Sequence, residues 1–110
     1  MLSMHWLYLA GAILFEVAGT TSMKLSQGFS RLLPSILIFV FYAISFVSLT
    51  FAVKKIDMSV SYAIWSGIGT ALIAIIGVYF FKESMTMLKI ASIILIIIGV
   101  MGLNLQGFKS

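Results

Sequence analysis

Four long apolar runs make up most of the chain, and the short segments between them hold most of the charged residues. The runs cover residues 4–22, 33–53, 58–81 and 87–105. They are continuous, whereas the strands of a membrane barrel alternate apolar and polar residues over about 10 positions. Because about 20 mainly apolar residues cross a bilayer as a helix, each run predicts one transmembrane helix. Pro34 stands at the head of the second run, where a proline costs no intrahelical hydrogen bond.

The composition supports an all-α membrane protein made of a single four-helix domain over residues 1–110. Of the 110 residues 62% are hydrophobic and 9% are charged, and the mean hydropathy is +1.19. A soluble domain of this length is far more polar. The first run lacks a basic leading segment and contains a glutamate, so we expect it to remain in the protein and not to be removed as a signal peptide. The chain has no cysteine, so the redox compartment cannot be read from it.

The net charge is +4, but the basic residues lie at the ends of the predicted helices and form no patch, which excludes nucleic-acid binding. On the side of the first and third loops lie Lys24, Arg31, Lys82 and Lys89. On the opposite side lie Lys54, Lys55 and Lys109. An excess of Lys and Arg normally marks the cytoplasmic face. Four against three is no bias, and this predicts insertion in both orientations and an antiparallel homodimer. The alternative is a further signal, or a partner subunit, that sets one orientation.

Glu16 stands in the middle of the first apolar run. An ionisable side chain at this depth costs several kcal/mol and usually serves a function. Every Lys and Arg lies near a helix end, so a positive partner must be a proton or a cationic solute. We therefore predict that Glu16 binds both in turn, which would exchange protons for cations. The alternative is a structural glutamate that is hydrogen-bonded to a neighbouring helix or permanently protonated.

Residues near Glu16 on its helix face, and aromatic residues on other helices, are further candidates for substrate binding. Ala12, Ile13 and Thr20 are three or four residues from Glu16 and share its face. Trp6 flanks that face, although an interfacial anchor is the equally weighted alternative. The stretch "SYAIWSGIGT" places Tyr62, Trp65 and Ser66 on one face of the third helix, and Tyr42 lies on the second helix. Aromatic rings beside a carboxylate attract organic cations by about 0.5 to 2 kcal/mol each.

Small residues in the third and fourth runs suggest roles in movement and assembly. Gly67 and Gly69 weaken the third helix, since glycine costs about 1 kcal/mol against alanine in a helix interior. We predict a hinge there, with close helix packing as the alternative. Ser92 and Gly99 are seven residues apart on one stripe of the fourth helix. Small residues at this spacing allow helices to approach closely in lipid, so we predict that they form the dimer contact.

Three stretches together resemble the small multidrug resistance family of four-helix exporters. "FEVAGTTSMK" is similar to the signature of the family's first helix, "GFSRLLPS" to its first loop, and "SYAIWSGIGT" to its third helix. The resemblance covers essentially the whole chain. It implies an antiparallel dimer that exchanges protons for cationic substrates. Glu16 would be the shared site, lined by Tyr42, Tyr62, Trp65 and Ser66.

Within that family the sequence is more similar to the quaternary-ammonium branch than to the guanidinium branch. After the glutamate the guanidinium branch typically reads Val-Val-Trp-Ala, whereas this chain has Val17, Ala18, Gly19 and Thr20. Gly19 in place of a bulky Trp predicts a roomier pocket. In the fourth helix Ser92 departs from the glycine that is frequent in the family.

The sequence therefore predicts a proton-coupled antiporter that exports lipophilic quaternary ammonium cations across the bacterial cytoplasmic membrane by alternating access. One alternative is an exporter of small metabolic cations such as choline, betaine or guanidinium. Another is a non-transporting membrane subunit that assembles with a partner. An enzyme is not expected, because the sequence contains no nucleophile with a base, no metal-ligand cluster and no phosphate loop. We expect neither a cofactor nor a metal.

Overall fold

A computed structural model describes residues 4–109, with side chains as far as Leu103 and that of Leu105. It contains four helices, α1 (Met4–Ser26), α2 (Leu32–Ala52), α3 (Met58–Phe80) and α4 (Met87–Lys109), and no strand in residues 4–109. This confirms the predicted all-α, four-helix fold. The side chain of Lys109, counted above for its charge, lies outside the described side chains.

Polar residues extend α1 beyond the end that hydropathy suggests. The helix continues past residue 22 to Ser26. Ser22 Oγ donates a hydrogen bond to the carbonyl of Ala18 at 2.9 Å, and Ser26 Oγ donates to the carbonyl of Met23 at 2.8 Å. Their hydroxyl groups are therefore satisfied by the helix itself, which lets polar residues continue it.

A tight turn joins α1 to α2. The carbonyl of Ser26 accepts hydrogen bonds from the backbone N–H groups of Ser30 and Arg31 at 2.9 and 3.1 Å. Ser26 Oγ accepts a third, from the N–H of Phe29 at 3.2 Å. Gln27, Gly28 and Phe29 have φ of 50°, 70° and 67°, the left-handed conformation that reverses the chain after a helix. The short turn makes α1 and α2 a helical hairpin.

The interior of the chain lies around α1, which packs against both α2 and α3, while α4 packs on α3. One cluster of buried apolar side chains joins the four helices and the α2–α3 loop. It consists of Leu9, Ile13, Val17, Ala52, Ile56, Val60, Ile64 and Val100. A buried polar contact adds to it, because Ser45 Oγ of α2 donates to the carbonyl of Ala12 in α1 at 2.6 Å.

Large apolar side chains cover the outside of the helices. Phe39 on α2 is 67% exposed, Phe80 on α3 77% and Leu95 on α4 68%. Soluble monomers rarely expose such continuous apolar surface, so this surface must be covered by lipid or by another protein.

Length and composition alone qualify two of the described helices as membrane spans. These are α2 and α3, with mean hydropathies of 2.3 and 1.9. In α4 the apolar stretch within the described side chains is shorter, Met87–Leu103. In α1 the charge of Glu16 and the hydroxyl groups of Thr20, Thr21 and Ser22 lower the mean hydropathy. Glu16 and Thr20, which make α1 a candidate site, are thus among the residues that keep it from qualifying as a span by hydropathy.

Candidate functional site

The carboxylate of Glu16 lies between α1 and α3. Thr20, one turn later on α1, donates a hydrogen bond from Oγ1 to Glu16 Oε1 at 2.7 Å. On the α3 side the carboxylate approaches Gly69 so closely that a methyl group there would lie 2.9 Å from Oε2. Glu16 itself is half-buried. The close approach means that glycine is the residue that lets α3 accommodate the carboxylate.

A chain of hydroxyl groups continues from Glu16 to α2. Thr20 Oγ1 lies 2.6 Å from the hydroxyl oxygen of Tyr42, and that oxygen lies 3.6 Å from Met23 Sδ. When Glu16 is ionised, Thr20 donates to it and Tyr42 donates to Thr20. When Glu16 carries a proton, it can donate that proton to Thr20 Oγ1. Thr20 then donates to the hydroxyl oxygen of Tyr42, and Tyr42 donates to Met23 Sδ. The same atoms can therefore satisfy both states of the carboxyl group.

The position of Tyr42 corrects the expectation of extra space at Gly19. The ring of Tyr42 lies directly on Gly19, and a methyl group at Gly19 would be 2.8 Å from Tyr42 Cε1. The missing side chain therefore makes room for the ring of Tyr42 and not for an open pocket. Because the ring can approach α1 this closely, its hydroxyl group reaches Thr20.

A cavity of about 280 Å³ opens beside the carboxylate. It is lined by Glu16, Thr20, Trp65, Ser66, Gly69, Thr70 and Ile73. One acidic group beside an indole ring and an isoleucine side chain is an arrangement that suits a cation with apolar substituents. The structure thus brings together Glu16, Thr20, Trp65 and Ser66, four of the residues proposed from the sequence.

Two lining residues, Thr70 and Ile73, were missed in the sequence. Thr70 follows Ser66 by four positions, and Ile73 follows Gly69 by four positions. Helical spacing could therefore have found both by extending the face of Trp65 and Ser66 by one turn.

Aromatic rings from α2 and α3 form a continuous row near the cavity. Ring centroids are 5.9 Å apart for Tyr42 and Phe46, 6.1 Å for Phe46 and Trp65, and 5.4 Å for Trp65 and Tyr62. Phe46, which the sequence reading did not propose, connects the predicted aromatic residues of the two helices. Tyr62 is 61% exposed and touches the site through the ring of Trp65.

Two of the polar residues of α3 at the cavity, Ser66 and Trp65, differ in their hydrogen bonds. Ser66 Oγ donates to the carbonyl of Tyr62 at 2.8 Å, so its proton is used within the helix. The indole Nε1 of Trp65 is buried and has no hydrogen-bond partner among the described residues. A buried N–H without a partner is unfavourable.

Five residues predicted to bind substrate do not line this cavity in the single chain. Tyr42 and Tyr62 contact residues that line it, Thr20 and Trp65, and the other three lie farther away. Ala12 is fully buried beside Ser45, and Ile13 belongs to the apolar cluster. Trp6 packs against the same cluster. One face of a helix is more than 100° wide, so two residues on the same face can contact different neighbouring helices. Residues three or four positions before Glu16 therefore need not contact the element that Glu16 contacts.

The small residues of α3 and α4 have different surroundings. α3 is helical through both glycines. A methyl group at Gly67 would lie 2.5 Å from Val100 Cγ2 of α4, so close packing accounts for this glycine. Ser92 and Gly99 of α4 are exposed, and nothing lies within 4 Å of the place where a Cβ of Gly99 would be. The hinge and the dimer contact stay predictions.

No described basic side chain forms an ion pair with Glu16. The ion pair among the described side chains joins Lys24 Nζ and Glu83 Oε2 at 3.7 Å, at one end of α1. Glu16 thus accepts a hydrogen bond, lies against a glycine and faces a cavity, and it has no paired base in the described part of the chain.

Comparison with known proteins places these features in a family. The family model of the Small Multidrug Resistance protein matches residues 4–96. The chain is 55% identical over 102 residues to Uncharacterized membrane protein YvaE of Bacillus subtilis (strain 168), covering 93% of this chain and 86% of that protein. It is 42% identical over 101 residues to Multidrug resistance protein EbrA of Bacillus licheniformis, covering 92% and 96%. It is 40% identical over 104 residues to Quaternary ammonium compound-resistance protein QacG of a Staphylococcus species, covering 94% and 97%.

A four-helix chain with an apolar exterior and these relatives is a multi-pass membrane transporter and not an enzyme. It belongs to the Small Multidrug Resistance family, whose members cross the membrane four times. All four helices are therefore spans, including α1 and α4, which composition alone did not qualify.

Proposed function

We propose that this protein exports lipophilic quaternary ammonium cations in exchange for protons, with Glu16 as the group that binds each in turn. The observation that carries the proposal is the Glu16 carboxylate itself. It accepts a hydrogen bond from Thr20, faces a cavity of about 280 Å³ and has no basic partner among the described side chains. The name of QacG supports quaternary ammonium compounds as the class of substrate, and the name of EbrA supports drug export.

The coupling follows from competition for one carboxylate. A proton and an organic cation both neutralise Glu16, so the binding of one excludes the other. If the loaded or protonated site can change the side to which it opens and the empty ionised site cannot, protons that enter down their gradient drive the cation out. This is alternating access with a shared site.

The second chain of an antiparallel homodimer would complete the site. The cavity is open along the surface of the single chain, and a transported cation needs protein on all sides to be shielded from lipid. Two copies inserted in opposite directions would place two Glu16 carboxylates in one path and supply the inverted symmetry that many transporters carry within one chain. The near-equal number of basic residues on the two sides supports this arrangement.

Transport in proteoliposomes tests the role of Glu16. With an imposed pH gradient, we expect the wild-type protein to move a quaternary ammonium cation and Glu16→Gln to abolish this movement while thermal unfolding stays similar. Asp57→Asn is the matched control, because it removes a carboxylate at the exposed N-terminal end of α3. Transport that persists in Glu16→Gln would refute the proposal.

Competition also predicts the sign of the pH dependence of binding. Protons occupy the carboxylate at low pH, so the affinity for the cation rises as pH rises, by up to about tenfold per pH unit. Isothermal titration at several pH values measures this slope. An affinity that does not change with pH would remove proton competition from the mechanism.

A substrate panel separates the proposal from its alternatives. We expect tetraphenylphosphonium and aromatic quaternary ammonium compounds to bind more tightly than choline, betaine or guanidinium, because only the larger cations can use the row of rings from Tyr42 to Tyr62. The reverse ranking would favour an exporter of small metabolic cations. Transport by the purified chain alone would exclude a subunit that has no transport activity.

A further inference from the structure

A second carboxylate faces a second cavity farther along the groove between α1 and α3. The cavity has a volume of about 350 Å³, and Glu83 and Lys24 line it together with apolar residues that include Ile76 and Phe81. Thr20 and Ile73 line this cavity and also the cavity of Glu16. The two cavities are therefore neighbours with common walls.

Backbone contacts hold Glu83 at this place. α3 ends at Phe80, and the carbonyl of Gly77 then accepts hydrogen bonds from the N–H groups of both Phe81 and Glu83, at 3.1 and 3.0 Å. Lys82 between them has φ of 57°. This left-handed residue turns the chain back over the last turn of α3. The position of Glu83 is thus determined by the end of the helix.

Gly77 leaves room for the Glu83 carboxylate, as Gly69 leaves room for that of Glu16. A methyl group at Gly77 would overlap Glu83 Oε1 and lie 3.0 Å from its Cδ. Gly77 is eight residues after Gly69, on the same face of α3 and about 12 Å farther along the helix. On α1, Lys24 is eight residues after Glu16, so Lys24 lies at the level of Gly77 and Glu83 as Glu16 lies at the level of Gly69.

The Lys24 ammonium occupies the position where a cation would bind. Its Nζ is 3.7 Å from Glu83 Oε2, and the two side chains are 61% and 42% exposed. An exposed ion pair at this distance is weak, because water and salt screen both charges. A lipophilic cation could therefore replace the ammonium and also contact the apolar wall, which the ammonium cannot use.

We propose that Glu83 forms a second cation-binding subsite, which holds a lipophilic cation between the Glu16 cavity and the aqueous phase and from which the cation displaces Lys24. The inference rests on the proposed function, since it assigns an approach path to the same substrate class. In an antiparallel dimer the two copies would place one such subsite at each face of the membrane. Each opening of the path would then contain an acid, with a lysine as its resident partner.

Binding of tetraphenylphosphonium to variants that already lack Glu16 tests the subsite separately from the main site. We expect purified Glu16→Gln protein to retain weak, salt-sensitive binding. Adding Glu83→Gln should weaken this binding by about twofold to fivefold, the range for one partly exposed ionic contact. Adding Lys24→Met should strengthen it by a similar factor, because the competing ammonium is gone.

Two further variants test whether the effect of Glu83→Gln comes from the loss of its carboxylate at this position. Gly77→Ala in the Glu16→Gln background keeps every charge but displaces the Glu83 carboxylate, so it should weaken binding as Glu83→Gln does. Asp57→Asn in the same background removes a carboxylate outside the cavity and should leave binding unchanged. Thermal unfolding of each variant verifies that it is folded.

The proposal is overturned if Glu16→Gln protein binds no tetraphenylphosphonium, or if adding Glu83→Gln leaves its affinity and its salt dependence unchanged. Equal binding by the wild type and Glu16→Gln would instead count against Glu16 as the main site. In that case the comparison of cation affinity with and without Glu83→Gln would still test the Glu83 subsite.

Discussion

Replacing Gly69 by alanine adds one methyl group at the point where α3 meets the Glu16 carboxylate. The added Cβ would lie 2.9 Å from Oε2 and 3.9 Å from Cδ of Glu16. Ordinary contacts begin near 3.4 Å, so the carboxylate must move by a few tenths of an ångström or more. That movement disturbs the 2.7 Å hydrogen bond from Thr20 and narrows the cavity that both residues line.

The expected effect is a loss of affinity without a comparable loss of stability. A hydrogen bond to a charged group contributes about 1.5 to 3 kcal/mol, and the lower end applies because the cavity is open to water. This value corresponds to about tenfold weaker cation binding. For stability, the methyl group meets the mobile end of a half-buried side chain, so it should cost less than the about 1 to 3 kcal/mol of an overfilled packed core. Alanine also regains about 1 kcal/mol of helix propensity.

Equilibrium binding of tetraphenylphosphonium to the detergent-solubilised protein, together with thermal unfolding, measures the two effects. Gly11→Ala is the matched control, since nothing lies within 4 Å of the position of its Cβ. Gly67→Ala should show the opposite pattern, lower stability with affinity retained, because its methyl group meets Val100 and not Glu16. Unchanged affinity in Gly69→Ala, or an equal loss of affinity in Gly11→Ala, would refute the idea that position 69 requires glycine because of its close contact with Glu16. A hinge defect alone would slow transport and leave equilibrium binding intact.

Substitutions at three further positions test separate contacts. Thr20→Val removes the hydroxyl group between Glu16 and Tyr42 at nearly constant volume and should weaken cation binding by up to about tenfold; Thr20→Ser should retain the wild-type affinity, and titration calorimetry compares the two. Trp65→Ala should weaken tetraphenylphosphonium binding while proton binding persists, and Trp65→Phe should restore part of the affinity; unchanged affinity in the alanine variant would remove this ring from the site. Ser45→Val should lower the free energy of unfolding by about 1 to 3 kcal/mol, because it removes the bond to the Ala12 carbonyl and overfills a fully buried position; denaturation that matches the wild type would contradict this.

Some of the candidate site follows from local rules that act within one helix. Glu16 stands out because a charge inside an apolar run is costly wherever the other helices lie. Trp65 and Ser66 share one face of α3 because successive residues of a helix are separated by about 100°. The same spacing leads on to Thr70 and Ile73. These parts of the site could be read from the sequence, and the structure brings them to one cavity.

Other parts depend on which helix lies opposite. The periodicity that placed Ala12 and Ile13 near Glu16 gives the direction of a side chain from its own helix axis and not the identity of its neighbour. In the folded chain Ala12 faces α2 and Ile13 faces the apolar cluster, whereas Glu16 lies against Gly69 of α3. Gly19 likewise predicted open space, and the ring of Tyr42 occupies it.

The sequence by itself determined the number of helices, their apolar exterior and the acid at the centre of α1, because these follow from hydropathy and from helical spacing. The tertiary structure alone decided which glycine meets which side chain. Gly69 of α3 lies against Glu16 of α1, and Gly67 of α3 lies against Val100 of α4. The physical reason is that such contacts depend on the distance and crossing of two helices that are far apart in the chain, and no local pattern encodes that distance.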